Sequence, residues 1–581
     1  MPNPMFYVKK NIFKTVIYLS FIFLAFNLFY LQVISYPIHK QRSLENIIRI
    51  IPLEAPRGII YDRNNRILVD NRISFDLAII PQEVDNIDIT LENLSKLCGI
   101  SKKRLYKNYK RNYTTPFIPV TVACDLDKRK AFFIDENIAS VPGAILLSNP
   151  RRNYRNPQAI SHIVGHIGKI DEAEYKILRG YGYKIREYVG KSGIEKYYNS
   201  YLRGEDGGIQ VEVDSASRRV RRLGYKSPKK GKDIFLTIDI DIQRMVNLLL
   251  REETGACIAM DVKSGEILAL VNSPGFDPNI FVDPTKQRQR LASLRQKDYP
   301  MLNRAISSAY PPGSAFKIVV AAAALYSGKI KKDTSFYCSG TYNLGKAKFS
   351  CWEKKGHGSQ NIIQGLTHSC NIFFYNVGRV IGPNLIHRYS VRFGLSQPTG
   401  VDLPGEVSGL VPSPLWKRLN KNESWYPGDT LNFTIGQGYL LITPIQALKM
   451  ITLIANKGFT PRPFLARRIG KLNLEGNKVN RTTIAEEKNE FDIIQQALFN
   501  AENDSTGTGQ RARVEGLKIC GKTGTAQVPK AETHAWFAGY VPYDSPKISF
   551  VIFLEHGGGG GRKPADMARV LCKYLRERGY L

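Results

Sequence analysis

A serine and a lysine three residues apart begin the most regular helical pattern of the sequence. In YPPGSAFKIVVAAAALYSG (Tyr310–Gly328), two prolines and a glycine precede Ser314, and the alanine-rich run after Lys317 predicts a helix. At i and i+3 the two side chains share one helix face. The free N–H groups and dipole of the first turn favour an oxyanion at Ser314. A lysine buried in apolar surroundings can accept a serine proton, so the pair predicts nucleophilic acyl transfer.

Two short motifs further along the chain strengthen this prediction. The segment THSCNIFFYNVG places Ser369 and Asn371 ahead of an aromatic helical pattern, and KICGKTGTAQ places Lys522–Thr525 in a strand-like context. Each motif alone is weak, because S-x-x-K is also a plain helix start and K-T-G a common turn. The order S-x-x-K, S-x-N, K-T-G, at intervals of 55 and about 150 residues, is a strong joint signal.

The first forty residues predict a membrane anchor. From residue 15 to 34 the chain is uncharged, which is long enough to cross a bilayer core of roughly 30 Å as one helix. Lys9, Lys10 and Lys14 precede it, and the positive-inside rule therefore places residues 1–14 in the cytoplasm. A cleaved signal peptide is the alternative, but the apolar stretch is long and no small-residue cleavage pattern follows. We expect an uncleaved helix with the rest of the chain outside the cytoplasm.

A charged segment with proline and glycine, Lys226–Asp233, predicts a linker between two domains. Residues 45–230 contain short strand-like runs and turn signals, which predict a mainly-β domain. Within it we expect a strand-turn-strand over 56–71, a helix over 190–204 and a hairpin over 207–224.

The second predicted domain covers residues 235–578. It begins with a strand and a helix, followed by a hairpin over 256–274 and a long helical region. Strands return before a last helix, over 564–578. Strands from both ends of a domain with helices between them predict an α+β fold.

The charge of the chain is large and diffuse. The 581 residues carry 83 Lys+Arg against 51 Asp+Glu, a net charge of +32, shared equally by residues 1–230 and 231–581. The densest basic runs, 102–111 and 218–232, carry no zinc-finger, homeodomain or ribonucleoprotein motif, which argues against nucleic acid as a partner. Diffuse basicity suits weak attraction to anionic lipid and to a carboxylate-bearing glycan polymer.

The motifs carry a family resemblance. RGIIYDRN, GKSGIEKYYNSYLRG and VEVDSASRRVRR resemble the non-catalytic pedestal (dimerisation) domain of the class B penicillin-binding proteins. YPPGSAFK, GEILALVNSPGFDPN, WYPGDTLNFTIGQGYLLITPIQ and GKTGTAQ resemble their transpeptidase domain. The resemblance covers nearly everything after the anchor and is greatest to the type that serves wall elongation. It implies a β-lactamase-like fold, in which helices flank an antiparallel sheet and an all-helical subregion is added.

The resemblance also implies a role for each motif residue. Ser314 would attack the penultimate D-Ala of a pentapeptide stem, with Lys317 taking its proton and Ser369 relaying a proton to the leaving amine. The further implied contacts are Asn371 to the substrate amide, Thr523, Gly524 and Thr525 to the terminal carboxylate with charge from Lys522, and the N–H groups of Ser314 and Thr525 as oxyanion hole. No cofactor is required for this acyl transfer, and β-lactams would acylate the same serine.

Three of the eight cysteines cluster in sequence with a histidine. Cys338, Cys351, His357 and Cys370 form a Cys₃His set, which is a normal ligand set for structural zinc. A Cys338–Cys351 disulfide, free thiols or a packed histidine are the alternatives. Cys370 lies between Ser369 and Asn371, so a metal there would fix the S-x-N motif from behind. Similar Gram-negative relatives have carboxylates where this chain offers Cys338 and Cys351. The other five cysteines are expected to be small buried hydrophobic residues.

Three other functions compete with an elongation transpeptidase. A septal transpeptidase is the nearest. A β-lactam sensor needs a cytoplasmic signalling segment, for which the short N-terminus leaves no room, and a β-lactamase needs neither anchor nor pedestal. The resemblance implies an inner-membrane protein with a periplasmic catalytic domain. The implied partners are stem pentapeptides on lipid II-derived strands, elongation-complex membrane proteins and a separate glycosyltransferase of the SEDS (RodA-like) type.

Overall fold

The structure is a computed structural model that describes residues 4–40, 48–116, 118–185, 187–213, 219–474, 482–484 and 488–581. By their internal contacts these residues form two compact units. The first comprises Met1–Pro56, Ile73–Arg151 and Gly204–Lys230, and the second comprises Arg57–Arg72, Arg152–Arg203 and Gly231–Leu581. The chain passes for the last time from the first unit to the second between residues 230 and 231, which lie inside the predicted linker. The domain bounds 45–230 and 235–578 stay predictions, since residues 57–72 and 152–203 belong to the second unit.

The helices and strands up to the linker are, in chain order, α1 (Pro4–Phe29), β1 (Ile48–Leu53), β2 (Ile60–Tyr61), β3 (Ile67–Ile79), α2 (Ile87–Cys98), α3 (Lys102–Asn112), β4 (Val120–Leu126), α4 (Lys128–Asn137), β5 (Ala144–Tyr154), α5 (Pro157–Val164), β6 (Ile167–Lys169), α6 (Glu172–Leu178), β7 (Tyr188–Gly190), α7 (Gly193–Tyr197), α8 (Asn199–Leu202), β8 (Gly207–Val213) and β9 (Arg219–Lys226).

The first unit contains the apolar helix and a three-stranded sheet. Helix α1 continues as a π-helix over Tyr30–Ile34, and the apolar stretch long enough to cross a membrane is Ile12–Ile34. It contains the predicted span, 15–34. Strands β8 and β9 form the predicted antiparallel hairpin, and β1 pairs with the other edge of β8. The turn of the hairpin, residues 214–218, lies outside the described residues.

Two of the predicted elements before the linker lie in the second unit. The strand-turn-strand at 56–71 is confirmed: β2 pairs with β3, Asn65 takes a positive φ of 61°, and Asp62 accepts the N–H of Arg66. The continuous helix at 190–204 is wrong. Two short helices, α7 and α8, meet at Tyr198, where the backbone leaves the helical region and the buried ring donates its hydroxyl to Asp402.

The elements after the linker are β10 (Ile234–Leu236), α9 (Ile240–Leu249), β11 (Gly255–Asp261), β12 (Ile267–Ser273), α10 (Asn279–Val282), α11 (Gln287–Leu294), α12 (Arg304–Ser307), α13 (Lys317–Tyr326), β13 (Phe336–Cys338), β14 (Thr341–Leu344), β15 (Ala347–Ser350), β16 (Gly358–Gln360), α14 (Ile362–Thr367), α15 (Asn371–Ile381), α16 (Pro383–Arg392), α17 (Pro414–Lys421), α18 (Pro427–Thr434), α19 (Pro444–Ala455), β17 (Phe459–Thr460), β18 (Ala466–Ile469), β19 (Leu472–Asn473), β20 (Thr482–Thr483), α20 (Lys488–Asn503), β21 (Cys520–Val528), β22 (Ala531–Val541), β23 (Ile548–Leu554) and α21 (Lys563–Glu577).

A five-stranded antiparallel sheet forms the centre of this region, with strand order β12-β11-β23-β22-β21. Strands from both ends of the region therefore lie side by side, which confirms the predicted α+β arrangement. Successive residues point to opposite faces of a strand. Trp536 and Phe553 belong to one core with α13 and α19, whereas Phe537 and Ile552 belong to the other with α9 and α21. Helices thus cover both faces of the sheet, and the three predicted motifs lie on the side of α13.

Candidate active site

Ser314 lies in a 3₁₀ turn, Gly313–Phe316, directly before α13. The sequence predicts an α-helical first turn, but the α-helix begins only at Lys317. The reason is Gly313, whose φ is +54° and whose N–H donates to the carbonyl of Gly436 at 3.0 Å. In a 3₁₀ turn, residues i and i+3 are eclipsed, so the turn still places Ser314 and Lys317 on one face.

Lys317 joins the first motif to the second. Its fully buried Nζ donates to the carbonyl of Ser369 and to Asn371 Oδ1, both at 2.7 Å, and to Ser369 Oγ at 3.3 Å. Burial lowers the pKa of Lys317 to about 8. A lysine with this pKa is partly neutral near neutral pH and can act as a base. Among the hydrogen bonds of the described residues none joins it to Ser314, a residue of intermediate burial.

The S-x-N motif is formed by a strained turn that leads into α15. Ser369 has a positive φ of 54°, which is rare for a residue with a side chain. Cys370 caps α15, and its Sγ accepts the N–H of Phe373 at 3.4 Å. Asn371 is the first residue of α15 and donates from Nδ2 to the carbonyl of Ser350 at 3.3 Å. Both polar side chains of the motif contact Lys317 Nζ, and backbone strain of this kind is found at functional sites.

The K-T-G motif lies in β21 as predicted. Lys522 is fully buried, and its Nζ donates to the carbonyl of Thr523 at 3.1 Å. Burial, and after it the nearby charge of Lys317, hold the pKa of Lys522 well below its ordinary value. Thr523 Oγ1 is 3.0 Å from Thr508 Oγ1.

Strand β21 approaches the Ser314 turn closely because both segments contain glycine. A Cβ at Gly524 would lie 2.6 Å from the carbonyl oxygen of Pro312, and one at Gly313 would lie 2.4 Å from that of Thr525. Real Cβ atoms essentially never lie this close to another heavy atom, so any side chain at either glycine would separate the two segments. The N–H groups of Ser314 and Thr525 belong to these adjoining segments. Their use as an oxyanion hole stays a prediction.

The three cysteines and the histidine predicted to bind metal lie together. One ligand atom from each of Cys338, Cys351, His357 and Cys370 lies within 4.8 Å of the others. His357 Nδ1 is 3.6 Å from both Cys338 Sγ and Cys351 Sγ. All eight cysteines of the chain are free, so this structure has no Cys338–Cys351 disulfide. Hydrogen bonds from Cys370 and His357 lower the pKa of Cys351, and the cluster therefore favours a thiolate.

The five scattered cysteines follow the prediction in four cases. Cys98, Cys257, Cys520 and Cys572 are buried, and burial raises the pKa of each thiol. Cys124 is only partly buried.

Sequence reasoning missed three groups that border the K-T-G strand. Thr508 contacts Thr523, the N–H of Gly560 donates to Thr525 Oγ1 at 3.2 Å, and Glu502 is buried behind the strand. The glycine run 557–561 is the one weak sequence signal for this region, and at Gly560 glycine is required, because a Cβ there would lie 2.4 Å from the carbonyl oxygen of Gly524.

Comparison with known proteins supports the same assignment. The family model "Penicillin binding protein transpeptidase domain" matches residues 255–573, and "Penicillin-binding Protein dimerisation domain" matches residues 52–236. The peptidoglycan D,D-transpeptidase MrdA of Haemophilus influenzae is 31% identical over 95% of this chain and 89% of its own length.

Two solved structures are similar over almost the whole chain. Penicillin-binding protein PBP2 of Helicobacter pylori, in its complex with MreC, has a TM-score of 0.83 and 29% identity, covering 92% of this chain and 99% of that chain. A structure on the coordination of polymerization and crosslinking by a peptidoglycan synthase complex has a TM-score of 0.74 and 28% identity, covering 97% of both chains.

The buried lysine of the S-x-x-K motif contacts the S-x-N motif, and the K-T-G strand lies beside them. Together with the family matches, this arrangement defines the class of protein: the chain belongs to the penicillin-binding protein transpeptidases. Within that family its relatives include the peptidoglycan D,D-transpeptidases MrdA, and the similar solved structures include PBP2. The resemblance, the fold class and the acyl-transfer activity predicted from the sequence are thereby confirmed.

Proposed function

We propose that this chain cross-links peptidoglycan stem peptides during cell-wall elongation, through an acyl-enzyme on Ser314. The observation that carries the proposal is the contact of Lys317 Nζ with Asn371 Oδ1 and Ser369, because it joins the predicted base, proton relay and amide-binding group by hydrogen bonds. Membership among the MrdA enzymes supports elongation over the septal, sensor and β-lactamase alternatives.

The first half-reaction makes the acyl-enzyme. Ser314 Oγ attacks the carbonyl carbon of the penultimate D-Ala while its proton passes to Lys317 Nζ. The N–H groups of Ser314 and Thr525 stabilise the oxyanion, a contribution of about 3–4 kcal/mol per donor in other acyl-transfer enzymes. The C–N bond then breaks, and the terminal D-Ala leaves with a proton delivered through Ser369. An ester between Ser314 and the stem peptide remains.

The second half-reaction makes the cross-link. An amine of a neighbouring stem attacks the ester carbonyl, loses a proton to the same base, and displaces Ser314 Oγ, which regains its proton. Asn371 binds the substrate amide in both steps. Thr523, Gly524 and Thr525 are the residues of the strand that would bind the terminal carboxylate of the donor. The positive charge of Lys522 would attract the same carboxylate. No cofactor enters either step.

The Cys₃His cluster is proposed to hold a structural zinc ion. Tetrahedral zinc with Zn–S bonds near 2.3 Å separates its ligand atoms by about 3.7 Å. The separation of 3.6 Å between His357 Nδ1 and each of two Sγ atoms fits this geometry. Nδ1 is the ring nitrogen that faces the sulfur atoms, whereas Nε2 is buried with no hydrogen-bond partner among the described residues, so Nδ1 would be the ligand atom. Zinc would supply rigidity beneath Ser369 and Asn371 and no chemistry.

The site also suggests where the protein works and with what. The apolar N-terminal helix would be a single-pass anchor in the bacterial inner membrane, with the catalytic region in the periplasm. Stem pentapeptides on lipid II-derived strands would be substrates and β-lactams covalent inhibitors. A SEDS-type glycosyltransferase and elongation-complex membrane proteins would be partners. One similar protein is known in a complex with MreC, and another belongs to a peptidoglycan synthase complex.

Labelling with a fluorescent penicillin tests the proposal. The wild type should be labelled covalently and Ser314→Ala should not. Persistent labelling of the variant would refute the assignment of the nucleophile, and rapid release of drug by the wild type would favour a β-lactamase. Ser327→Ala, at the far end of α13, is the matched control and should label normally.

A further inference from the structure

A threonine outside the three motifs lies directly beside the K-T-G strand. Thr523, the threonine of that motif, donates its hydroxyl to Thr508 Oγ1 at 3.0 Å, and Thr508 lies in the segment between α20 and β21. A threonine hydroxyl has one hydrogen to donate. Because the hydrogen of Thr523 is used within the pair, the hydrogen that the pair can offer to a ligand is that of Thr508.

The exposure of the two threonines differs in the same sense. Thr523 is only 6% exposed, whereas Thr508 is of intermediate burial. Thr525 is exposed, and as the second residue after Thr523 it points to the same face of β21. Its Oγ1 accepts the N–H of Gly560, so its own hydrogen is not used in that contact. Among the described residues no hydrogen bond uses the hydroxyl hydrogen of Thr508 or of Thr525.

Close backbone contacts fix the loop that carries Thr508. A Cβ at Gly507 would lie 2.3 Å from the carbonyl oxygen of Ala501, which belongs to α20. A Cβ at Gly561 would lie 2.5 Å from the carbonyl oxygen of Thr508 itself. The loop therefore packs tightly between the end of α20 and the glycine run that also contacts the K-T-G strand.

The same loop is hydrogen-bonded to the S-x-N motif. His368, the residue before Ser369, places its Nε2 2.9 Å from Thr506 Oγ1. Asp504 Oδ1 accepts both the N–H and the hydroxyl of Thr506, each at 2.9 Å, and so fixes the turn that precedes Thr508. The loop is thus tied to two of the motifs, and the position of Thr508 is set relative to both.

We propose that Thr508 is a further substrate-binding residue, whose hydroxyl, oriented by Thr523, donates to the terminal carboxylate of the donor stem. A carboxylate offers two accepting oxygens, and hydrogen bonds to a charged acceptor are the strong ones. Thr508 and Thr525 supply one hydrogen each. Recognition of a free terminal carboxylate therefore depends on a residue outside the three motifs. This inference rests on the proposed function.

Two ligands that differ only in a carboxylate test the inference. The probes are two boronic acids, which bond reversibly to a catalytic serine, and only one of them carries a carboxylate where the donor has its terminal one. Their inhibition constants are measured by competition with fluorescent penicillin on the full-length wild type, Thr508→Val and Thr508→Ser. Thr508→Val should weaken the carboxylate-bearing acid about tenfold and the other less than about twofold, because only the hydrogen bond to the charged group is lost. Thr508→Ser should retain both affinities.

Ser505→Ala is the matched control. It removes an exposed hydroxyl of the same loop, 3.5 Å from Asp504 Oδ1, and should change neither inhibition constant. Equal weakening of both acids by Thr508→Val would mean that Thr508 only holds the site together, and unchanged affinities would mean that it does not contact the carboxylate. Either result, with a wild type that fluorescent penicillin labels, overturns the inference alone. Absence of labelling in the wild type would instead refute the proposed function.

Discussion

Lys317 Nζ lies 2.7 Å from Asn371 Oδ1, and this contact joins two motifs through residues that are 54 positions apart in the chain. The asparagine amide is neutral and only accepts a hydrogen bond, so it neither takes the proton of the lysine nor places a charge beside it. It orients the amine while burial weakens its hold on the proton. The relationship makes Asn371 a positioning partner of the base as well as the proposed binder of the substrate amide.

Replacement of Asn371 should therefore slow acylation at all pH values. In Asn371→Ala, Lys317 loses one of its acceptors and the substrate loses its amide contact, so the acylation rate should fall by about 10²-fold. Asn376→Ala, on the same helix, removes a side chain whose amide donates to the carbonyl of Ile372, and it should acylate normally. Equal rates for both variants would show that the contact does not contribute to catalysis.

The acylation rate should depend on pH through Lys317. Its pKa is lowered to about 8 by burial, and only the neutral amine can accept the proton of Ser314. As pH falls below about 8, the protonated fraction grows, and the rate should drop about tenfold per pH unit. Rapid-mixing kinetics with a chromogenic β-lactam between pH 5 and 9 measure this. A flat profile over pH 6–8 would contradict the role of Lys317 as base.

The closeness of the Ser314 turn to β21 should make Gly313 irreplaceable. In Gly313→Ala the new Cβ would lie 2.4 Å from the carbonyl oxygen of Thr525, so the turn and the strand must separate and acylation should be lost. Gly328→Ala is the matched control: its φ, +66°, is equally positive, but nothing lies within 4 Å of the added carbon. Both variants carry the strain of a positive φ, and a difference in labelling therefore reports the steric clash alone.

The motifs and their order could be predicted from the sequence because each one sets its own local structure. Pro311 and Pro312 end the preceding segment, and the alanine run after Lys317 has a high intrinsic helix propensity. What brings the motifs together is long-range and has no local pattern. Gly313 contacts Gly436, over a hundred residues away, and this contact turns the predicted α-helical start into a 3₁₀ turn. Glu502 gave no signal because burial of a single glutamate is decided entirely by tertiary packing.

The Cys/His cluster should bind one zinc ion per chain. Elemental analysis of the purified full-length protein should give one equivalent, and Cys351→Ala should lose it together with part of the penicillin labelling. Loss of the metal should also reduce penicillin labelling, because Cys370 lies between Ser369 and Asn371. Cys124→Ala, outside the cluster, should keep the metal. Zinc-free wild-type protein with full labelling and an oxidised Cys338–Cys351 pair would contradict the prediction.

A buried ionic triad near the start of the second unit should dominate its acid stability. Glu195 is fully buried and accepts from Arg57 Nη2 at 2.7 Å and from Arg152 Nε at 2.6 Å. Removing one partner of such a group leaves charge buried, so Glu195→Gln should lose about 3–5 kcal/mol of unfolding free energy. The exposed pair of Glu172 and Lys176, 3.0 Å apart, supplies the control, and Glu172→Gln should not change stability measurably.

The same triad has a pH signature with a defined sign. Although burial opposes it, the charges of Arg152 and Arg57 hold the pKa of Glu195 below its ordinary value of 4.5. Its contribution to stability is therefore complete above about pH 4.5 and is lost as pH falls through the lower folded-state pKa. Thermal unfolding of the wild type and Glu195→Gln from pH 3 to 7 should give curves that are parallel above pH 5 and converge in acid. Curves that stay parallel down to pH 3 would mean that the arginines do not stabilise the carboxylate.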